Sequence, residues 1–331
     1  MWRQTSLLLL VLLLSANQCV NCQCVPGDTC KAPDCRCWDD PSIPGGLTAA
    51  ETPQVVLISF EYTVNKGNVD LYTKLLKGVT NPNGCQATAT FFVQEVNTDF
   101  SVVKTLYDEG HEIGMTSSDG IIPSDAAEWL ATFQLMKTKI TDVFVPEDQV
   151  VGSRAPELSV GGDDQFAAIE QVGLSYDSSC SSSEYAYRDN MLWPYTYDYI
   201  YRTPKCTIGR APESAHKGKW QFLVANLRYN EQNCATLSAC SPFIKSSQDA
   251  FDMLFESFSN HYEGSKSPFV LYIDPLWLSV DYQYEGTRQF VEFVRSGFGD
   301  TWFLTTQQSL AWIKEPVTSD KAIDFKSWGC S

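Results

Sequence analysis

Short apolar runs alternate with helical repeats from Thr52 almost to the end of the chain. Val55-Val56-Leu57-Ile58-Ser59-Phe60 reads as a buried strand, and residues 70–79 as a helix with Leu71, Leu75, Leu76 and Val79 on one face. Residues 87–93 predict the next strand, and Phe100, Val103, Leu106 and Tyr107 the next helix. Glu112–Met115 is a short strand, and Ser124 or Asp125 caps the longest predicted helix, in which Trp129, Phe133, Met136 and Ile140 recur at helical spacing. Val150-Val151-Gly152 leads into a turn at Arg154, and Phe166, Ile169 and Val172 mark a further helix. Residues 220–227 and 268–273 are predicted strands flanking a helix around Met253-Leu254-Phe255. A strand at Trp302-Phe303-Leu304 and a helix at Leu310-Ala311-Trp312 complete the pattern. Near-continuous apolar strands between helices predict an α/β fold with a parallel sheet covered by helices. The pattern alone does not separate an open sheet from a barrel. Residues 180–219 break the alternation and are expected to form a functional surface insertion.

Composition adds a compartment. Arg3 precedes an unbroken apolar run of eight residues beginning at Leu7, far short of the roughly 20 that a membrane span needs. Residues 1–22 are therefore expected to be a signal peptide, cleaved between Ala16 and Cys24, and the mature protein to be secreted and extracellular, with no membrane span. Of 12 cysteines, Cys19 and Cys22 lie at this cleavage region, and the other ten read as disulfides. Cys234 and Cys240 enclose a short loop and are expected to pair. A zinc cluster over Cys24 to Cys37 is the rival reading of the first four. Residues 23–46 are expected to be a short cysteine-rich arm strapped to the main body, reaching as far as Cys330. Residues 47–331 form the main domain. A net charge of -16 argues against nucleic acid as a partner, and suits solubility or contact with cations such as calcium.

Further segments resemble a known family. Cys30-Lys31-Ala32-Pro33-Asp34-Cys35-Arg36-Cys37, Ile43-Pro44-Gly45-Gly46-Leu47, Asn81-Pro82-Asn83-Gly84-Cys85, Gly110-His111-Glu112-Ile113, Gly152-Ser153-Arg154-Ala155-Pro156, Leu192-Trp193-Pro194-Tyr195-Thr196 and Phe325-Lys326-Ser327-Trp328-Gly329-Cys330 follow one another in the order of arthropod chitin deacetylases. The resemblance is to midgut-type members that consist of the catalytic domain alone, within the polysaccharide deacetylase family (carbohydrate esterase family four). It implies a single distorted (β/α) barrel with the site at the strand C-termini and a chitin or related polysaccharide partner; the partner that the family has for Cys206 is absent around Ala211-Pro212, so Cys206 is expected to pair with Cys180.

The same resemblance points to missing chemistry. Active members hold zinc with an aspartate and two histidines, leaving one position open for water. The corresponding positions here are Tyr62, Thr116 and Gly120, and none of the three histidines, His111, His216 and His261, falls on one. Glu61 stands at the base position, Arg154 at the position that orients the base, and Asp274 where a histidine acid would protonate the leaving amine. An ion pair between Arg154 and Glu61 is expected to stabilise the pocket floor. Tyr62, Trp193, Tyr195 and Trp277 are expected to stack on sugar rings, with Tyr185, Tyr187, Tyr197 and Tyr199 as further candidates. The expected cofactor is none, zinc being lost, with a weaker expectation of calcium among Glu61, Asp119, Glu157, Asp177 and Asp274. The leading reading is a catalytically inactive secreted protein that binds chitin or another N-acetylglucosamine polymer in an extracellular matrix. The alternatives are an active polysaccharide N-deacetylase with a non-standard site built on Glu61 or Asp274, and an acidic calcium-associated matrix protein.

Overall fold

The strand read from Val55 to Phe60 is the central one. In the computed structural model, which describes residues 23–330, it runs as β1 over Gln54–Tyr62; the expected signal peptide lies outside the described residues. Alternation along β1 sends Val56, Ile58 and Phe60 into the outer layer under the helices, and Val55 and Leu57 into the interior of the sheet. The remaining strands of the main sheet are β2 (Thr90–Val93), β3 (Glu112–Met115), β4 (Gly152–Ser153), β5 (Tyr176–Asp177), β6 (Tyr195–Tyr197), β7 (His216–Gln221), β8 (Phe269–Ile273) and β9 (Thr301–Phe303). Their order is β8-β1-β2-β3-β4-β5-β7-β6, with β9 also on β1. Every pairing is parallel except β6 with β7.

Among the described residues no ladder joins β8 to the β7–β6 end of the sheet, so the expected barrel is not laced shut. The chain after β7 crosses the gap instead: Val224 N–H donates to Cys180 O and Ala225 N–H to Val270 O at 2.9 Å. The strand expected over 220–227 therefore ends at Gln221, because its continuation serves as this crossing. Trp193, Trp220, Trp302, Trp312 and Trp328 fill the interior with Phe92, Tyr176 and Tyr272.

Helices Val69–Leu76, Phe100–Asp108, Ala126–Thr141, Gly162–Val172, Ser247–Glu263, Asp281–Gly297 and Thr306–Lys314 are the longer ones. Asp125 is the cap of Ala126–Thr141, accepting from Ala127 N–H and Glu128 N–H. The expected insertion is more ordered than its sequence suggests, since it contributes β6 to the sheet.

The cysteines pair as Cys24–Cys37, Cys30–Cys35, Cys85–Cys330, Cys180–Cys206 and Cys234–Cys240. The arm is thus stapled to itself and does not reach Cys330. It docks through Arg36, whose carbonyl accepts from Thr196 N–H at 2.9 Å along the free edge of β6. Cys85–Cys330 joins positions 245 residues apart, beside the hydrogen bond from Asn83 Nδ2 to Trp328 O. Removing it as Cys85→Ser with Cys330→Ser is expected to cost about 3–5 kcal/mol of stability, read as a lower urea midpoint. An unchanged midpoint would mean that the packing of Trp328 alone holds the C-terminal strap.

Candidate functional site

Glu61 and Ser59 point into the sheet interior because they sit at the same alternating positions of β1 as Val55 and Leu57. Both are buried. Thr116, one residue beyond β3, donates its hydroxyl to Glu61 Oε1 at 3.1 Å. Glu61 Oε2 has no hydrogen-bond partner. Burial pushes the Glu61 carboxyl up to about 8, against the pull of the Arg154 charge and the Thr116 hydroxyl.

Arg154 lies under this carboxyl and is fully buried. The ion pair expected with Glu61 is not formed: among the described residues no salt-bridge contact joins them. Instead Arg154 Nη1 donates to Ser59 Oγ at 2.8 Å, Nε to Ser178 O at 2.7 Å and Nη2 to Ser178 Oγ at 3.0 Å. Its guanidinium is held between the rings of Phe92 and Tyr272, 4.3 and 4.9 Å from their centroids. A buried cation satisfied by neutral oxygens and aromatic faces is a fixed element of the floor. Ser59, Ser178, Phe92 and Tyr272 are not among the expected site residues, although period-two alternation from Glu61 points directly to Ser59, and the parallel register pairs Ser59 with Tyr272.

Tyr62 ends β1 with φ 84°, a left-handed conformation uncommon for a bulky side chain. Its hydroxyl accepts from Glu157 N–H at 2.9 Å, across the mouth from β1. Its ring lies over Gly120: a Cβ built there would meet the ring at 3.7 Å and Gln94 Oε1 at 2.8 Å. Glu157 is itself in the left-handed region, φ 55°. The phenol is half-buried and its pKa is raised, by burial and by the Glu61 charge. The structure therefore brings Glu61, Tyr62, Thr116, Gly120 and Arg154 together at the C-terminal ends of the strands.

The zinc that the resemblance implies does not fit this donor set. A neutral phenol already hydrogen-bonded to backbone, a hydroxyl committed to Glu61 and a glycine supply no anionic or imidazole ligand. The calcium cluster does not assemble either. Among the described residues the group of acidic, histidine or cysteine ligand atoms near enough for a metal is Cys24, Cys30 and Cys37, and these are disulfide-bonded. Asp177 is saturated by Ser153, Gln165 and Ser179, while Asp119 and Glu157 are exposed. Asp274 caps helix Pro275–Leu278, its Oδ1 accepting from Trp277 N–H at 3.0 Å. Its Oδ2 has no partner.

Three of the four expected sugar-stacking residues are interior. Trp277 is fully buried, with Nε1 donating to Thr287 Oγ1 at 2.8 Å. Trp193 packs against Trp312 at 5.9 Å and donates to Ser265 O. Tyr195, like Tyr197, is fully buried, because β6 is paired within the sheet and has no free face. Tyr62 alone remains at the mouth. The exposed large apolar side chains on the loops there are aliphatic, Val96, Ile121, Ile122 and Leu276, and they sit among the exposed carboxylates of Asp119 and Glu157.

No protein-family model matches the chain. Two proteins of Bombyx mori are similar to it: Chitin deacetylase 1, 30% identical over 321 residues, covering 90% of this chain and 58% of that protein, and Chitin deacetylase 8, 30% identical over 308 residues, covering 89% and 79%. The chain thus spans 58% of the length of the former. Among solved structures, Puue allantoinase superposes with a TM-score of 0.56 at 14% identity over 82% of this chain and 92% of its own. A probable polysaccharide deacetylase from Pseudomonas aeruginosa PAO1 gives 0.54 at 14% identity over 81% and 93%. These structures support the fold, and the sequence similarity carries the relationship: the chain belongs to the polysaccharide deacetylase family, as a relative of the insect chitin deacetylases.

Proposed function

We propose that this chain is a secreted, catalytically silent chitin deacetylase-like protein that binds chitin or another N-acetylglucosamine polymer in an extracellular matrix. The observation that carries the loss of activity is the seat of Tyr62. Its ring covers Gly120, its hydroxyl is tied to Glu157, and it stands where the resemblance requires a zinc-binding carboxylate. Five disulfides among the described residues support an oxidising compartment. The purified protein with added zinc is expected to release no acetate from N-acetylated chitin oligomers above a heat-killed control, and to be depleted from solution by chitin beads. Zinc-dependent acetate release would overturn the first half, and a protein left wholly in the supernatant the second.

One observation favours an active alternative. Glu61 is a carboxyl poised near neutrality with one oxygen free, which are attributes of a general acid or base. Acetate release that survives chelation and vanishes in Glu61→Ala would establish that reading.

A further inference from the structure

If the chain holds a polysaccharide, Trp193, Tyr195 and Trp277 cannot stack on it, since they are interior, and Tyr62 is half-buried with its hydroxyl tied to Glu157 N–H. Aromatic side chains with a polar tip and a large open surface occur elsewhere. Tyr187 is 49% exposed and Tyr201 46% exposed, and both lie in the segment closed by Cys180–Cys206. The cystine-stapled arm braces that segment. Trp38 Nε1 donates to Tyr201 O at 3.1 Å, and the Trp38 ring meets Tyr185 edge-on at 6.0 Å. Tyr199 donates its hydroxyl to Thr29 O at 2.9 Å, a second tie between arm and segment. Guanidinium groups hold the two exposed rings, Arg228 over Tyr187 at 5.0 Å and Arg202 over Tyr201 at 5.1 Å. Apart from Arg202, which neighbours Tyr201 in the same segment, these contacts come from outside the loop and hold the aromatic surface, which lowers the ordering entropy of binding.

Beside Tyr185 the seam of the sheet opens into a crevice of about 20 Å³ lined by Ser182, Asn226, Met191 and His261. That is room for one water-sized group such as a hydroxyl. Ser182 is 3% and Asn226 6% exposed, and Ser182 Oγ and Asn226 Oδ1 have no hydrogen-bond partner. Asn226 follows Ala225 on the segment that bridges the unlaced gap. A buried hydroxyl and a buried amide oxygen without partners are costly unless something polar meets them.

We propose that this surface, with Tyr185, Tyr187 and Tyr201 as its aromatic faces and Ser182 and Asn226 as its polar floor, binds sugar rings of a neutral polysaccharide. The inference rests on the polysaccharide reading above and moves the contact from the barrel mouth to the seam between arm, insertion and sheet. A pyranose ring offers an apolar C–H face to an aromatic ring and a rim of hydroxyls to polar groups. The seam supplies both kinds of partner. The mouth supplies one half-buried ring, Tyr62, whose hydroxyl is tied to Glu157 N–H, and its exposed apolar side chains are aliphatic and lack the negative ring face that attracts polarised C–H groups.

The test is calorimetric titration of the full mature chain with chitohexaose, repeated as depletion on chitin beads. Tyr187→Ala with Tyr201→Ala is expected to weaken binding by about tenfold to a hundredfold. Tyr187→Phe with Tyr201→Phe keeps the rings and is expected to stay within about threefold of the native affinity. Leu276→Ser with Ile121→Ser, at the mouth, is expected to change nothing. All four positions are at the surface, and circular dichroism checks that each variant folds. If the mouth pair loses binding and the alanine pair keeps it, the seam site is wrong and the polysaccharide reading stands. A native protein that binds neither hexamer nor beads overturns both.

Discussion

Replacing Glu61 with glutamine is expected to stabilise the chain by about 4 kcal/mol at pH 8 and by nothing measurable at pH 4. Glu61 is buried, Thr116 satisfies one of its oxygens, and the other has no partner. Its carboxyl is raised from 4.5 to about 8, chiefly by burial. The folded chain therefore keeps a proton that the unfolded chain releases. This contribution to stability is present in full below pH 4.5, declines as pH rises, and is gone once pH passes about 8. Glutamine is neutral throughout and keeps a carbonyl oxygen for Thr116, so the variant should lack the decline. Urea unfolding of both proteins from pH 4 to pH 9 measures it. Parallel curves would mean that the charge on Arg154 compensates an ionised Glu61, and that burial does not set its protonation.

This expectation places the whole region under one physical account. An active site that must ionise a base keeps it wet or directly paired. Here Glu61, at the position the resemblance assigns to a base, is buried, the neighbouring Arg154 is turned to Ser59, Ser178 and two aromatic faces, and Tyr62 lies over Gly120. The left-handed backbone at Tyr62 and Glu157 costs on the order of 1–3 kcal/mol per residue. The bond between them, Glu157 N–H to the Tyr62 hydroxyl, is part of what holds both in place.

Local pattern made much of this legible. The strand at 55–60, the cap at Asp125 and the strand Glu112–Met115 follow from period and capping chemistry that neighbouring residues contain. The candidate positions Glu61, Tyr62, Thr116, Gly120 and Arg154 converge because each lies at or beyond the C-terminal end of its strand. Non-local facts were hidden. Nothing near Trp277 announces that Thr287, on the next helix, will take its indole N–H. Nothing near Tyr195 announces that β6 will pair antiparallel with β7 and be buried. Aromatic-rich loops read as sugar platforms from sequence because interior and exposed rings share one composition. Cys330 illustrates the same limit, its partner Cys85 lying 245 residues away.

Placing an aspartate and two histidines at the positions the resemblance assigns to zinc ligands is expected to convert the site into a zinc centre. Tyr62→Asp, Thr116→His and Gly120→His together should raise zinc affinity by at least about 1,000-fold over the native chain, which offers no fitting donor. Tyr62→Asp removes the ring over Gly120 and puts a residue more tolerant of positive φ at 84°. The space it vacates lies beside position 120, where the second histidine must go. That histidine is the costly step. Gly120 has φ 77°, and its Cβ would sit 2.8 Å from Gln94 Oε1, so Gln94 must swing away from Thr63 and Val96. Strain of roughly 1–2 kcal/mol at this residue is small beside the roughly 10–16 kcal/mol that structural zinc sites supply. Thr116→His alone leaves Tyr62 in its seat and should bind nothing. Calorimetric zinc titration, with cobalt spectra to read tetrahedral geometry, compares the three proteins. A folded triple variant that ignores zinc would show that the ligand positions were misassigned, and stoichiometric zinc on the native chain would overturn the catalytically silent reading itself.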